Sequence, residues 1–249
     1  MKISLCIPAY NEEKILPETI ATVSDYMSGA FGDDYEIIYV SDGSRDATPE
    51  ILTAAAEASG GRIRAICYQP NRGKGCAVRT GLLAAEGDVV IFTDCDLAYG
   101  CEVIGEFYEK MASDPSIGML IGSRALHPEG YEGYTATRKI VSKTYVKLLS
   151  VWGGLRLTDS QSGIKAFRRP VARAVFSRCE IDRFAFDFEA ILIADALGVG
   201  IGEHPVKIVN HRASTVRIFH DSVEMLRAIS RMKRRIKSLG LDPSMIEKE

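Results

Sequence analysis

The chain has 249 residues, enough for one large or two small domains, and 46% of them are apolar, so a sizeable core is available. Lysine and arginine number 31 against 33 acidic residues, and the resulting net charge of −2 excludes a nucleic-acid binder held by bulk charge. No signal peptide or bilayer-length apolar run is visible, the six cysteines form no C-x-x-C pair, and the four histidines show no H-E-x-x-H spacing, so a cytoplasmic chain without disulfides or zinc is expected.

Lys2 to Ile7 alternates as a strand and runs into Pro8-Ala9-Tyr10-Asn11-Glu12-Glu13. A helix is predicted from about Glu12 to Met27, with Ile15, Ile20, Val23 and Met27 on one stripe. Tyr35 to Val40 is a second strand, closing on Ser41-Asp42-Gly43-Ser44; Thr48, followed by Pro49, is the expected cap of a helix to about Ser59. Arg62 to Tyr68 is a third strand, and Asn71-Arg72-Gly73-Lys74-Gly75 leads into a helix ending near Glu86. Val89 to Thr93 is a fourth strand, apolar or β-branched throughout, and delivers Asp94 and Asp96 at its C-terminal end. Further on come a helix from about Cys101, a strand at Ile117 to Ile121 ending in Gly122-Ser123-Arg124, and a polar loop, His127 to Tyr134, expected to act as a mobile lid. A helix with Lys139, Lys143 and Lys147 on one face is read over Thr135 to Trp152, then the turn Thr158 to Gly163 before Ile164 to Phe167. Asp187 to Leu197 is read as a helix, Val199 to Val209 as a strand and Phe219 to Leu239 as a last helix. The β-α-β-α-β-α-β order of the first half requires parallel strands with right-handed crossovers.

Parallel strands place all their C-terminal ends on one rim, where open α/β sheets bind ligands. Here that rim gathers Tyr10, Glu12, Asp42, Arg72, Lys74, Asp94 and Asp96. Two carboxylates one residue apart suit a hard divalent cation that holds a diphosphate, although acidic turns at strand ends are common without one. Gly73-Lys74-Gly75 imitates a dinucleotide fingerprint, but Val78 stands where its third glycine belongs, and Cys76 after Gly75 excludes a P-loop. Lys74 reads better as a phosphate contact, because a helix N-terminus is otherwise a poor place for a cation. Asp42 contacts a base or ribose, or caps the turn with Gly43. Asp159 and Lys165, flanking the Ser162-Gly163 turn, would pass for an ordinary turn on the residues alone.

Ile7 to Glu12, Val40 to Asp46, Asn71 to Gly75 and Asp94-Cys95-Asp96 resemble the signatures of the family 2 inverting glycosyltransferases. Asp159-Ser160-Gln161-Ser162-Gly163-Ile164-Lys165 and Arg183 to Glu189 resemble a narrower branch, the polyprenyl- (dolichyl-) phosphate hexosyltransferases, most of all the dolichyl-phosphate glucosyltransferase type. The resemblance implies a GT-A fold: a Rossmann-like, mainly parallel central sheet flanked by helices, with C-terminal amphipathic helices. It implies that Pro8, Ala9, Tyr10, Glu12 and Asp42 grip the nucleoside, that Lys74 and Asp94 sit at the nucleotide, and that Asp96, with Asp94, ligates Mg²⁺ or Mn²⁺. Arg124 and Ser162 would meet an acceptor phosphate. Some relatives carry a glutamine as a further metal contact where this chain has Ala98.

The reaction implied is inverting transfer of a hexose, glucose being expected, from a UDP-type nucleotide sugar to a polyprenyl monophosphate; a soluble saccharide or protein acceptor is the alternative. An acceptor phosphate is already anionic and needs no strong base, but cations must hold two anions together, with Arg124, Lys165 and Arg212 as candidates. A hydroxyl acceptor would need a carboxylate base, which Asp159 or Asp187 could supply. Arg212-x-Ser214-x-x-Arg217 would close over the donor, by analogy. The division expected is a catalytic domain over 1–217 and a basic amphipathic helix and tail over 218–249. In that helix Leu226, Ile229, Met232, Ile236 and Leu239 form one stripe, and Arg227, Arg231, Lys233, Arg234, Arg235 and Lys237 crowd the rest. That pattern suits peripheral binding to an anionic membrane surface at the cytoplasmic face.

Overall fold

The computed structural model describes residues 2–132, 157–183, 185–210 and 221–246, the last of these with side chains from residue 230. Seven strands form one sheet: β1 Ile3–Ala9, β2 Tyr35–Asp42, β3 Ile63–Tyr68, β4 Val89–Thr93, β5 Met119–Ser123, β6 Ile164–Arg168 and β7 Ile201–Pro205. Their order is β3-β2-β1-β4-β6-β5-β7. All pairings are parallel except those of β6, which runs antiparallel to both β4 and β5. The tips of β1 to β5 therefore share a rim with the start of β6.

Alternation along the strands sorts side chains into two cores. Ile3, Leu5, Ile7, Ile37, Tyr39, Val89 and Ile91 face one layer, against helices α1 (Leu16–Phe31), α2 (Thr48–Ala58) and α4 (Glu102–Ser113). Cys6, Ile38, Val40, Val90 and Phe92 face the other, against α3 (Lys74–Ala84), α5 (Arg169–Phe176) and α6 (Phe186–Ala196). Covered on both faces, β2 and β4 are buried at every position, which is why Val89 to Phe92 and Ile37 to Val40 read as unbroken apolar runs.

Several boundaries differ from the sequence reading. The first helix begins at Leu16, because Pro17 suits only a first turn and residues 12–15 form a turn of their own. Thr48 does not cap α2: it is the first helical residue, and its Oγ1 accepts from the Glu12 N–H at 2.9 Å. Helix α5, which opens on Arg169-Pro170, is a further element after β6, and β7 is confined to Ile201–Pro205. The described part of the polar loop, 127–132, is a set of turns, with Glu129 bound to Lys207 at 3.0 Å. The predicted helix over Thr135 to Trp152 lies outside the described residues.

Helix α7, Asp221–Ser238, is followed by a short 3-10 turn at Pro243–Met245. Met232 and Ile236 from its stripe are buried within the second core, while Arg231, Lys233, Arg234 and Lys237 are exposed. Of the described stripe residues, Met232 and Ile236 are therefore covered by protein, while Leu239 is 40% exposed. No helix among the described residues is long and apolar enough to cross a membrane.

Candidate active site

Three loops build the first half of the rim, and they interlock. Asn11, at φ 55°, adopts the left-handed conformation that asparagine tolerates. From there its N–H donates to Ser44 Oγ at 3.1 Å and its Oδ1 accepts from the Arg45 N–H at 2.8 Å. Two further bonds cross the same seam: the Glu13 N–H donates to Asp46 Oδ2 at 3.1 Å, and the Ala47 N–H donates to Glu13 Oε2 at 3.0 Å. Beside this seam Tyr10 stands 46% exposed, Pro8 and Glu12 are half-buried, and Ala9 is buried. An exposed aromatic ring on a rigid loop is the arrangement a base could stack upon.

Asp42 has a different task. Its Oδ1 accepts from Tyr68 Oη and the Arg72 N–H, and its Oδ2 from Asn71 Nδ2 and the Gly73 N–H, all at 2.8 Å. A carboxylate offers about four acceptor sites. All four are engaged, and the side chain is buried. These bonds hold the 68–73 loop, a task that neither reading of Asp42 from the sequence named.

That loop delivers Lys74 at the first position of α3, after Gly73 at φ 114°. Lys74 Nζ lies 2.5 Å from Asp94 Oδ1, and the two side chains remain 24% and 31% exposed. Burial alone would lower the ammonium's pKa; Asp94, and then Asp187, outweigh it and raise it, so the charge is kept. Asp96 is partly exposed and accepts from the Ala98 N–H at 3.1 Å. Leu97 follows at φ 49°, a conformation that costs a leucine about 1 kcal/mol. Among the described residues no group of three His, Cys, Asp or Glu side chains could hold a metal ion by itself. Two adjacent carboxylates fit a cation such as Mg²⁺ that keeps waters and takes its remaining ligands from substrate phosphates.

The 157–163 segment completes the rim from the other side. A Cβ on Gly163 would lie 2.2 Å from Asp94 Oδ2, so only glycine lets this backbone pass the carboxylate. The Gly163 N–H donates to Tyr99 Oη at 3.3 Å; burial pushes that phenol up to about 12, and it stays protonated. Asp159 is fully buried and fork-bonded by Arg124, Nε to Oδ2 at 2.6 Å and Nη2 to Oδ1 at 2.9 Å. Burial would raise the Asp159 carboxyl, but the Arg124 hydrogen bonds and charge outweigh it and hold it below the usual range. Lys165, also fully buried, donates to Asp187 Oδ1 at 2.7 Å and to the Ser162 carbonyl at 2.9 Å. Burial dominates at Asp187 and raises its pKa against the pull of Lys165 and Lys74. Ser162 is buried, with Oγ on the Ile164 carbonyl at 3.2 Å.

The structure thus brings Lys74, Asp94, Asp96, Asp159, Lys165 and Asp187 to one rim, while Arg212 and the stretch Arg212 to Arg217 lie outside the described residues. Sequence reasoning missed Tyr99, Asn71 and Asp182, whose carbonyl accepts from the Cys76 N–H just beyond Lys74. Asn71 opens a motif that was read and needed only its donor noticed; the other two act through contacts too distant in sequence for spacing to show.

A seven-stranded sheet with one reversed strand and charged loops gathered on one rim has the architecture of a GT-A glycosyltransferase fold. Glucosyl-3-phosphoglycerate synthase from Mycobacterium tuberculosis, in complex with Mn²⁺, UDP-glucose and phosphoglyceric acid, shares it at TM-score 0.64 and 21% identity, over 92% of this chain and 76% of that one. The glycosyl transferase family 2 model matches residues 4–176, and the chain belongs to that family. It is 31% identical to the dolichyl-phosphate β-glucosyltransferase of Drosophila melanogaster over 90% of this chain and 72% of that one. To a dolichyl-phosphate β-glucosyltransferase of Trichomonas vaginalis it is 35% identical over 81% of this chain, spanning 62% of that protein's length.

Proposed function

We propose that the chain transfers glucose, with inversion, from UDP-glucose to a polyprenyl monophosphate, using Mg²⁺ or Mn²⁺. The observation that carries this reading is the state of the two carboxylates available as a general base. Asp159 is forked by Arg124, and Asp187 is bound to the buried Lys165. A hydroxyl acceptor needs a base to remove its proton; a phosphate acceptor is already an anion. Carboxylates closed in this way favour the acceptor that needs none. The names of the relatives support the same acceptor and sugar, and the bound nucleotide of the mycobacterial synthase supports UDP and a divalent cation.

In this reading Tyr10 and the Pro8 to Glu12 loop take the nucleoside, and Lys74 leaves Asp94 in part to meet the diphosphate. A divalent cation held by Asp96, with Asp94, would neutralise charge as it builds on the departing diphosphate. Arg124, at the tip of β5 beside Asp159, borders the space where the acceptor phosphate approaches the anomeric carbon from the opposite face. Lys165 and Asp187 stay beneath this surface and keep Ser162 and the Asp94 neighbourhood in place. An anionic membrane surface would be met electrostatically by the exposed Arg231, Lys233, Arg234 and Lys237 of α7, each adding about 1 kcal/mol, at the cytoplasmic face.

The test is transfer from labelled UDP-glucose with Mn²⁺ and a polyprenyl phosphate. Label should partition into organic solvent, and Asp96→Ala should lower the rate about 10²- to 10³-fold. Label that stays aqueous with the lipid and moves instead onto a soluble saccharide would overturn the acceptor.

A further inference from the structure

Helix α7 turns one basic side chain inward. Arg235 is 24% exposed; its Nη1 donates to Glu189 Oε1 at 2.8 Å, and its Nε lies 2.9 Å from Glu180 Oε2. Its Nη2 donates to the Arg178 carbonyl. Glu189, on α6, is 1% exposed, and its other oxygen accepts from the backbone N–H groups of Glu180 at 3.0 Å and Ile181 at 2.9 Å. One buried carboxylate thus fastens α7 and the 178–182 segment to the same spot.

That segment is the wall behind the glycine loop. The Asp182 carbonyl accepts from the Cys76 N–H at 3.2 Å. A Cβ on Gly73 would lie 2.5 Å from that carbonyl, and one on Gly75 would lie 2.5 Å from the Ile181 carbonyl. The Asp182 carboxylate binds Arg79 at 2.5 Å and faces Arg72 at 3.9 Å. Lys74 lies between the two glycines, so its backbone is held on both sides by 181–182.

We propose that Arg235 is a positioning residue for Lys74: by clasping Glu189, Glu180 and the Arg178 carbonyl it presses the 178–182 segment against Gly73 to Cys76, and so fixes where the lysine meets Asp94 and a bound diphosphate. The last part rests on the proposed function; the mechanical part does not. The geometry asks for a guanidinium, since three acceptors lie around one planar fork and an ammonium is a single point charge. Removing it also leaves Glu189 buried without its cation. Arg234, exposed on the same helix, donates from Nε to the Ser230 carbonyl of its own turn at 3.3 Å and so serves as an outward control.

The test compares wild type with Arg235→Gln, Arg235→Lys and the outward control Arg234→Gln. In ligand-free protein, hydrogen exchange of the 72–78 peptide should accelerate in Arg235→Gln, less in Arg235→Lys and not at all in Arg234→Gln. Calorimetry with UDP and Mn²⁺ should show affinity about five- to tenfold weaker in Arg235→Gln, with the same ranking. Exchange that rises in α6 and α7 but not in 72–78 would reduce Arg235 to a helix anchor and overturn the proposal. If Arg235→Gln does not fold, Glu180→Gln, which removes only the outer acceptor, should shift both readouts in the same direction by less; no shift would again overturn it. Wild type that binds no UDP would sink the functional reading, while the exchange result would still decide the positioning.

Discussion

Two lysine–aspartate pairs lie close together on this rim and behave as different devices. Lys74 and Asp94 meet at 2.5 Å with roughly a quarter of each side chain open to solvent. Lys165 and Asp187 meet at 2.7 Å with 1% and 10% open. In the first, water and substrate can reach both partners, so the ion pair can be exchanged for a ligand contact with little loss. In the second, each charge depends on the other, because desolvation makes an unmatched buried ion expensive. Lys165 is also committed to the Ser162 carbonyl and lies 5.4 Å over the Phe92 ring. The same two residue types thus form an accessible pair at one position and a buried pair at the other.

The comparison breaks most visibly at the buried pair. Lys165→Met should destabilise the protein by about 3–5 kcal/mol, read from the urea midpoint, and adding Asp187→Leu should recover most of that loss. A single variant as stable as wild type would remove the distinction between the pairs. Lys74→Met should do the reverse: stability within about 1 kcal/mol of wild type, with turnover down about 10²-fold. The smallest effect separates both lysine pairs from the Arg124–Asp159 fork. The Asp159 carboxyl is held below its unfolded value, so the fork's contribution is complete above about pH 4 and lost as pH falls through the lower folded value. Wild type should therefore lose stability more steeply than Arg124→Met in acid unfolding below that pH, and parallel curves would show the fork contributes nothing.

The half of the rim built by β1 to β4 was legible because each strand there ends in its own short motif. Asp94 and Asp96 follow five buried residues in sequence, and parallel topology alone carries them to the site. The reversal of β6 was not legible: Ile164 to Phe167 reads the same in either direction, and only its pairing with both β4 and β5 sets its sense. The role of Asp42 was ambiguous for a similar reason, since its four donors come from residues 26 to 31 positions away. Helix α7 looked like a free amphipathic element because Met232 and Ile236 carry no mark of what covers them.

The reversal has a consequence for how such a protein can diversify. Strand β5 ends at Ser123 and β6 begins at Ile164, at the same edge, and the stretch between them is stapled at its base by Ser123 Oγ to Thr158 Oγ1 at 2.6 Å and by Arg124 to Asp159. An excursion closed at its foot can lengthen at a cost that grows only with the logarithm of its size, about 0.6 kcal/mol per doubling. The stretch between β5 and β6 can therefore be rewritten as an insert, while β1 to β4 keep their loops and spacing untouched.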